Sequence, residues 1–252
     1  MPRIGAKGIA MKIGKLRSQW ISIKLVLITA DICVRALVRS LFGKMNRQWT
    51  DKTIQQWSTR ILDQIGVTLS VHNPNNIEIG SNTPYIIMCN HSSLYDIPIS
   101  FKAFPTHSVR MLAKKELSQI PMLKKAMTAS EFPFIDRKNR KQAIKDLAYA
   151  SELMKSGIIL WVAPEGTRSK DGKLAPFKKG AFITAIHAKA KIVPIGIRGA
   201  FNILPARTKK FNLNQHAEIH IGKIFDASLY DLETKEQLIQ LVHDEMKQLC
   251  GE

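Results

Sequence analysis

The chain has 252 residues, with 38 Lys and Arg against 20 Asp and Glu, for a formal net charge of +18. That length fits one catalytic domain plus an appendage, and the charge calls for a polyanionic partner, either nucleic acid or a surface of anionic lipid headgroups. The cysteines, Cys33, Cys89 and Cys250, lack CxxC spacing, so they indicate neither a disulfide framework nor a zinc site and fit a reducing cytosol.

Residues 1–50 hold ten basic side chains, beginning with Arg3 and Lys7, and one acid, Asp31. From Lys15 to Phe42 there is no proline and much Ile, Leu and Val, which predicts a helix roughly 40 Å long at 1.5 Å per residue. Arg17, Lys24, Asp31, Arg35 and Arg39 fall within a wedge of roughly 80° on that helix. No apolar run approaches the ~20 residues a span requires, so the helix is expected to lie in the headgroup plane with its charged wedge toward water or phosphate. Packing on the protein's own core is the alternative; Asp31 and Arg35 speak against a secretory signal peptide. After Gly43-Lys44, the spacing of Ile54, Trp57, Ile61 and Ile65 predicts a second amphipathic helix that stops at Gly66. A basic segment beside an apolar helix, rather than an aromatic-studded sheet, favours a membrane surface over nucleic acid.

Beyond Gly66, strand-like runs near 67–72, 84–90, 109–113, 157–163, 191–197 and 217–222 alternate with helical stretches near 94–104, 121–129, 138–155, 178–189 and 231–249. This alternation predicts a layered α/β fold, a largely parallel sheet flanked by helices, over residues 66–252. Residues 1–65 form the N-terminal basic segment and an amphipathic two-helix hairpin. There is no internal repeat and no low-complexity linker.

Within the sheet, Tyr85-Ile86-Ile87-Met88-Cys89 reads as a buried strand, and Asn90-His91-Ser92-Ser93-Leu94-Tyr95-Asp96 follows it. The spacing puts an imidazole at the strand's exit and a carboxylate one turn into the next helix. The carboxylate can hold one ring nitrogen while the other takes a proton from a hydroxyl. Taken alone, such a pair is more often a capped core contact. Cys89 beside it is read as packing rather than as an acyl-carrying nucleophile.

Further blocks follow: Phe132-Pro133-Phe134-Ile135-Asp136-Arg137, Val162-Ala163-Pro164-Glu165-Gly166-Thr167-Arg168-Ser169, Pro176-Phe177-Lys178-Lys179-Gly180-Ala181 and Ile192-Val193-Pro194-Ile195-Gly196. With His91 and Asp96, in this order over residues 85–197, they resemble the four-block signature of the glycerolipid acyltransferases, in the 1-acylglycerol-3-phosphate branch. Ala113-Lys114-Lys115-Glu116-Leu117 ahead of Ile120-Pro121 is similar to the family as well. Two local departures bear on acyl-chain or substrate preference: Ala163 stands where the family usually has an aromatic residue, and Leu94 and Tyr95 where it often has a Trp.

The resemblance implies transfer of a fatty acyl group from acyl-CoA or an acyl carrier protein thioester to the sn-2 hydroxyl of lysophosphatidic acid, giving phosphatidic acid. It implies no cofactor beyond that thioester. His91 is then the general base and Asp96 its orienting partner. Arg137, Arg168, Gly166 and Thr167 are the phosphate binders, with Lys114 a weaker candidate and Glu165 orienting Arg168 or touching the glycerol hydroxyl. The resemblance also implies that the two N-terminal helices dock on the cytoplasmic face of a membrane, as in a bacterial inner membrane, through Trp20, Lys24, Arg35, Arg39, Trp49 and Trp57. Its partners are membrane lipids and no nucleic acid.

Other readings stay open beside this one. A glycerol-3-phosphate acyltransferase or an enzyme for another lysolipid, such as an ornithine lipid, shares most of the pattern; a non-enzymatic basic lipid- or nucleic-acid-binding module shares the charge. A serine hydrolase lacks its G-x-S-x-G elbow. Lys178 and Lys179 are either a solvated helix start or holders of phosphate or CoA. His216, Glu218 and His220 share one strand face and have the look of a metal site, but a polar outer face is the favoured reading, so no metal is expected.

Overall fold

A buried strand of five residues flanked by helical periodicity has to be covered on both faces, and the chain does this with two helical layers. The structure, a computed structural model, describes residues 11–80 and 83–252; the expectations placed on Arg3 and Lys7 lie outside them. In chain order the elements are β1 (Met11–Lys12), α1 (Lys15–Leu41), α2 (Arg47–Asp63), β2 (Thr68–His72), β3 (Tyr85–Cys89), α3 (Asp96–Ala103), β4 (Val109–Met111), β5 (Ala113–Lys114) and α4 (Pro121–Ala129). They continue with β6 (Phe134–Ile135), α5 (Arg140–Lys155), β7 (Ile159–Val162), α6 (Lys179–His187), β8 (Lys191–Arg198), α7 (Ala200–Ile203), β9 (Asn212–Leu213), β10 (His216–Ile221), β11 (Phe225–Asp226) and α8 (Lys235–Cys250).

The main sheet has the order β2-β10-β8-β3-β7-β4, with β11 beside β8. β3 pairs in parallel with β8 and β7, β7 with β4, and β2 with β10. β10 and β11 run antiparallel to β8, and β2, parallel to β10, is reversed with them. The largely parallel sheet is as expected; the reversal was carried by no sequence signal. β3 is buried along its whole length. Ile86 and Met88 meet Met154 of α5, Phe182 of α6 and Leu238 of α8 in one core, while Ile87 and Cys89 meet Ile61 of α2 and Ile99 of α3 in the other.

Local chemistry sets the ends of these elements. Asn46 caps α2 by accepting from the Trp49 N–H at 2.8 Å, and Asn139 caps α5 by accepting from Gln142 at 3.0 Å. Pro121 opens α4, where its missing N–H leaves no bond unmade. Gly196 has no room for a Cβ, which would lie 2.5 Å from the backbone of Leu249, so the end of α8 packs directly on β8.

The expected strand at 109–113 is split. Val109–Met111 joins the main sheet, while Ala113 and Lys114 leave it to pair with Phe134 and Ile135. This small second sheet brings the Lys114 and Arg137 segments side by side.

The first helix shows two faces. Ser18, Ile21, Ile28, Cys33 and Ala36 are buried, whereas Leu16, Trp20, Ile23, Val26, Leu27, Val34, Val38, Leu41 and the following Phe42 are exposed. Packing on the protein's own core and an outward apolar stripe are therefore both present on one helix. Asp31 of the charged wedge is engaged by α2, through Arg60 at 2.5 Å, and lies 3.9 Å from Arg35. Trp57 donates to the Thr29 hydroxyl at 3.1 Å. In turn α2 is tied to the sheet by Asp51, which accepts from the fully buried Arg110 and from Ser108, both at 2.6 Å. No helix among the described residues is long and apolar enough to cross a membrane.

Candidate active site

His91 follows β3 directly, and its position is fixed by the residue before it. The Asn90 side chain acts as an extra strand residue: its oxygen accepts from Ile197 N–H at 2.7 Å and its amide donates to Ile197 C=O at 3.0 Å. The His91 ring then meets Asp96, with Nδ1 2.8 Å from Oδ2. That oxygen also accepts from the N–H groups of Ser92 at 2.7 Å and Ser93 at 2.8 Å. A carboxylate only accepts, so Nδ1 carries the proton and Nε2 keeps its lone pair. Asp96 is fully buried and the ring nearly so, with Trp161 edge-on at 6.1 Å between centroids. Asp96 opens α3 instead of sitting one turn inside it; there the helix N-terminus favours its negative charge.

Glu165 has a different place from the one expected. It makes no hydrogen bond or ion pair with Arg168: it is buried, and Oε1 accepts from the His91 N–H at 2.6 Å while Oε2 accepts from Ala175 N–H at 3.0 Å. The Ser169 N–H donates to the His91 carbonyl at 2.7 Å. Both backbone groups of His91 are thus held by the 165–169 loop. Burial pushes the Glu165 carboxyl up to about 7, although the two backbone donors pull the other way and the nearby Asp96 charge adds to the rise.

Beside this clamp, Arg137, Gly166, Thr167 and Lys178 line one pocket, with Glu165 in its floor. Arg137 is presented by a turn built on Asp136, whose carboxylate accepts from Lys115 at 2.7 Å and from the Lys138 N–H at 3.0 Å. The Arg137 guanidinium donates to the Gly166 carbonyl. Gly166 has φ +76°, a left-handed conformation, and a Cβ there would sit 3.4 Å from Lys178 and 3.5 Å from Arg137, between the two cations.

The remaining expected phosphate binders lie outside the pocket lining. Arg168 makes no hydrogen bond or ion pair with a described residue, and Lys114 is exposed on β5 opposite Ile135. Lys178, weighed evenly in sequence, has its backbone pinned to Pro164 C=O at 2.8 Å with its side chain in the pocket wall. Lys179 is engaged instead by Glu236 at 2.6 Å. Cys89 is fully buried in the core, where burial holds its thiol well above the usual range, so it is no nucleophile.

The residues named for membrane docking divide. Trp20, Lys24 and Arg35 are exposed. Arg39 lies over the Trp49 ring, 5.1 Å from its centroid, and donates to the Lys44 carbonyl at 2.7 Å. Trp49 and Trp57 are half-buried and line a partly open apolar pocket of about 130 Å³ with Cys33, Thr53, Phe101 and Phe132. Two of the three indole rings named for docking thus line a pocket beside α1 and α4. Trp161 beside His91 was not singled out in sequence, because a Trp within an apolar strand carries no mark of what it faces.

Comparison with known proteins places these features. The family model described as Acyltransferase matches residues 68–198, a span containing His91, Asp96, Arg137 and the 165–169 loop. The 1-acyl-sn-glycerol-3-phosphate acyltransferase of Saccharomyces cerevisiae is 32% identical over 183 residues, covering 71% of this chain and 58% of that one. The human 1-acyl-sn-glycerol-3-phosphate acyltransferase beta is 32% identical over 147 residues, covering 58% of this chain and 51% of the other. Across the relatives first matched, this chain spans about half of their length, from 40% to 58%. The crystal structure of the 1-acyl-sn-glycerophosphate (LPA) acyltransferase PlsC from Thermotoga maritima superposes with a TM-score of 0.75 at 25% identity, over 94% of this chain and 96% of that one. With the family model covering more than half of the residues and the fold shared nearly end to end, the chain belongs to the acyltransferase family.

Proposed function

We propose that the chain transfers a fatty acyl group from an acyl thioester to the sn-2 hydroxyl of 1-acylglycerol-3-phosphate, giving phosphatidic acid. The observation that carries this reading is the His91 imidazole, held through Nδ1 by buried Asp96 with Nε2 free, beside a pocket walled by Arg137 and Lys178. Nε2 takes the proton of the acceptor hydroxyl as its oxygen attacks the thioester carbonyl. The C–S bond then breaks, and the imidazolium returns the proton to the leaving thiolate; no acyl-enzyme forms. Arg137, Lys178 and the Gly166 backbone receive the acceptor's phosphate. Glu165 acts one step back, fixing the backbone of the base. The apolar cavity between α1, α2 and α4 takes an acyl chain, and the exposed stripe of α1 sinks into one membrane leaflet on the cytoplasmic face.

His91→Ala and Asp96→Asn should each lower thiol release from acyl-CoA with lysophosphatidic acid by at least a hundredfold, the upper part of a positioned base's contribution, with unchanged circular dichroism. A near-wild-type rate in folded His91→Ala protein sinks the mechanism. Loss with the acyl carrier protein thioester alone would identify the donor instead.

Removing a charge-assisted phosphate contact is worth about 1.5–3 kcal/mol, so Arg137→Ala should raise the KM for lysophosphatidic acid by roughly ten- to a hundredfold. The matching change for Arg168→Ala should be smaller. The reverse order, measured on the same acceptor, would move the phosphate site out of this pocket.

Because the Glu165 pKa is raised from 4.5 to about 7 in the folded chain, its contribution to stability is full below pH 4.5 and is lost as pH rises through 7. Unfolding free energy of the wild type, referred to Glu165→Gln, should therefore fall by about 3 kcal/mol from pH 4 to pH 8. A difference that stays constant with pH would mean that the two backbone donors keep the carboxylate ionised throughout.

Each large apolar side chain moved from water into the bilayer contributes about 1.5–3 kcal/mol. The double variant Trp20→Glu, Leu27→Glu should then stop co-flotation with vesicles containing phosphatidylglycerol, while high salt alone leaves wild-type flotation largely intact. Flotation equal to wild type in the double variant would remove α1 as the docking element.

A further inference from the structure

The histidines on β10 take no part in the acyl-transfer site, yet they are grouped in a way the sequence alone did not show. Glu218 and His220 are two apart on one strand and so share a face. The parallel pairing of β2 with β10 sets His72 directly opposite His220. Their rings stack at 4.5 Å with an interplanar angle of 11°, and His220 Nε2 is 3.0 Å from Glu218 Oε2. One donor atom from each of His72, Glu218 and His220 lies within 4.8 Å of the other two. His216, the third member of the face, is turned aside to the Thr68 hydroxyl at 2.8 Å.

We propose that His72, Glu218 and His220 bind a first-row divalent cation of the zinc(II) kind across the β2–β10 edge. Two imidazoles and one carboxylate are a donor set that suits this class, and they leave a fourth position to water. Tetrahedral bonds of about 2.0–2.1 Å put neighbouring donor atoms roughly 3.3 Å apart, close to the 3.0 Å already present between His220 and Glu218. His72 completes the site by a small side-chain rotation, free because it is exposed.

Two further observations support a built cluster. Arg198 stands opposite Glu218 in the β8–β10 register but does not take its carboxylate: its guanidinium donates to the carbonyls of Leu249 at 2.8 Å and Gln248 at 3.0 Å, at the end of α8. Lys223, two residues past the strand, is likewise engaged, by Glu245 at 3.5 Å. The local cations are thus held elsewhere, and the carboxylate is left to the two histidines. β2 is an edge strand paired only with β10, and His72 is its last residue. A metal bridge there would fasten the strand that follows α2 to the body of the sheet.

Equilibrium dialysis of the full chain, free of any histidine tag, against zinc(II) at pH 7.5 tests the assignment. One equivalent per chain is expected, lost in both His72→Ala and His220→Ala and kept in His216→Ala. Cobalt(II) in place of zinc should give the intense visible bands of a tetrahedral site in wild type and in His216→Ala alone. Zinc should raise the wild-type Tm and leave that of the His72→Gln protein unchanged. Absence of a stoichiometric equivalent in the wild type, or an equivalent that survives the combined loss of His72 and His220, overturns the proposal.

Discussion

The bond from the His91 N–H to the Glu165 carboxylate is the constraint on which the site is built. It joins a residue at the exit of β3 to a loop at the exit of β7, the strand beside it, and the Ser169–His91 bond closes the second half of the clamp. An imidazole held only by its side chain would swing about the chain that carries it. Here Asp96 fixes the ring and Glu165 with Ser169 fixes the backbone, so base position is determined at both ends. The same Glu165 forms the floor of the pocket beside Arg137 and Lys178. One buried carboxylate thereby sets the distance between the candidate base and the candidate phosphate cradle.

That economy has an electrostatic consequence. Asp96 and Glu165 are both buried on either side of His91, where a charge needs partners, and the Asp96 charge adds to the rise of the Glu165 pKa. Asp96 meets this with two backbone donors, an imidazole and a helix N-terminus, all on or around a single oxygen; Oδ1 has no partner among the described residues. Glu165 has two backbone donors, which pull its pKa down, but burial outweighs them and raises its proton affinity. The pair divides the labour by position: Asp96 holds the ring and Glu165 holds the chain that carries it.

Much of this was legible in sequence where local chemistry decides. The apolar run 85–89 announced a strand covered on both faces, the Asn139 cap opens α5 and Pro121 opens α4 as its first residue, so those elements lie close to where periodicity put them. Features set by long-range packing were not legible. The strand at 191–197 was read despite Pro194, a residue that argues against a central ladder; what the sequence did not show is that β10 pairs with residues 195–198 and β11 with 191–192, leaving the proline in the gap between them. Trp49 and Trp57 have interfacial chemistry but wall a cavity, because α4 and α3 close over them from far along the chain. Glu165 was read as orienting Arg168 or touching the glycerol hydroxyl; its bond to the His91 N–H depends on the β3–β7 pairing, which the sequence does not show.

The N-terminal helices raise the same question of how distant parts are held in register. Asp31, read as one charge of an outward wedge, is exposed and also accepts from Arg60, tying α1 to α2. That exposed pair is worth at most about 1 kcal/mol. The link from α2 to the sheet is of another kind, since Arg110 is fully buried and its charge is matched by Asp51. Removing one partner of such a buried pair costs about 3–5 kcal/mol, because the other charge is left without compensation. The junction nearest the sheet is therefore the rigid one and the outer junction the soft one. On the proposed docking reading this order matters: α1 can adjust its apolar stripe to a lipid surface while α2, with Trp57 on the cavity wall, stays fixed relative to β3 and so to His91.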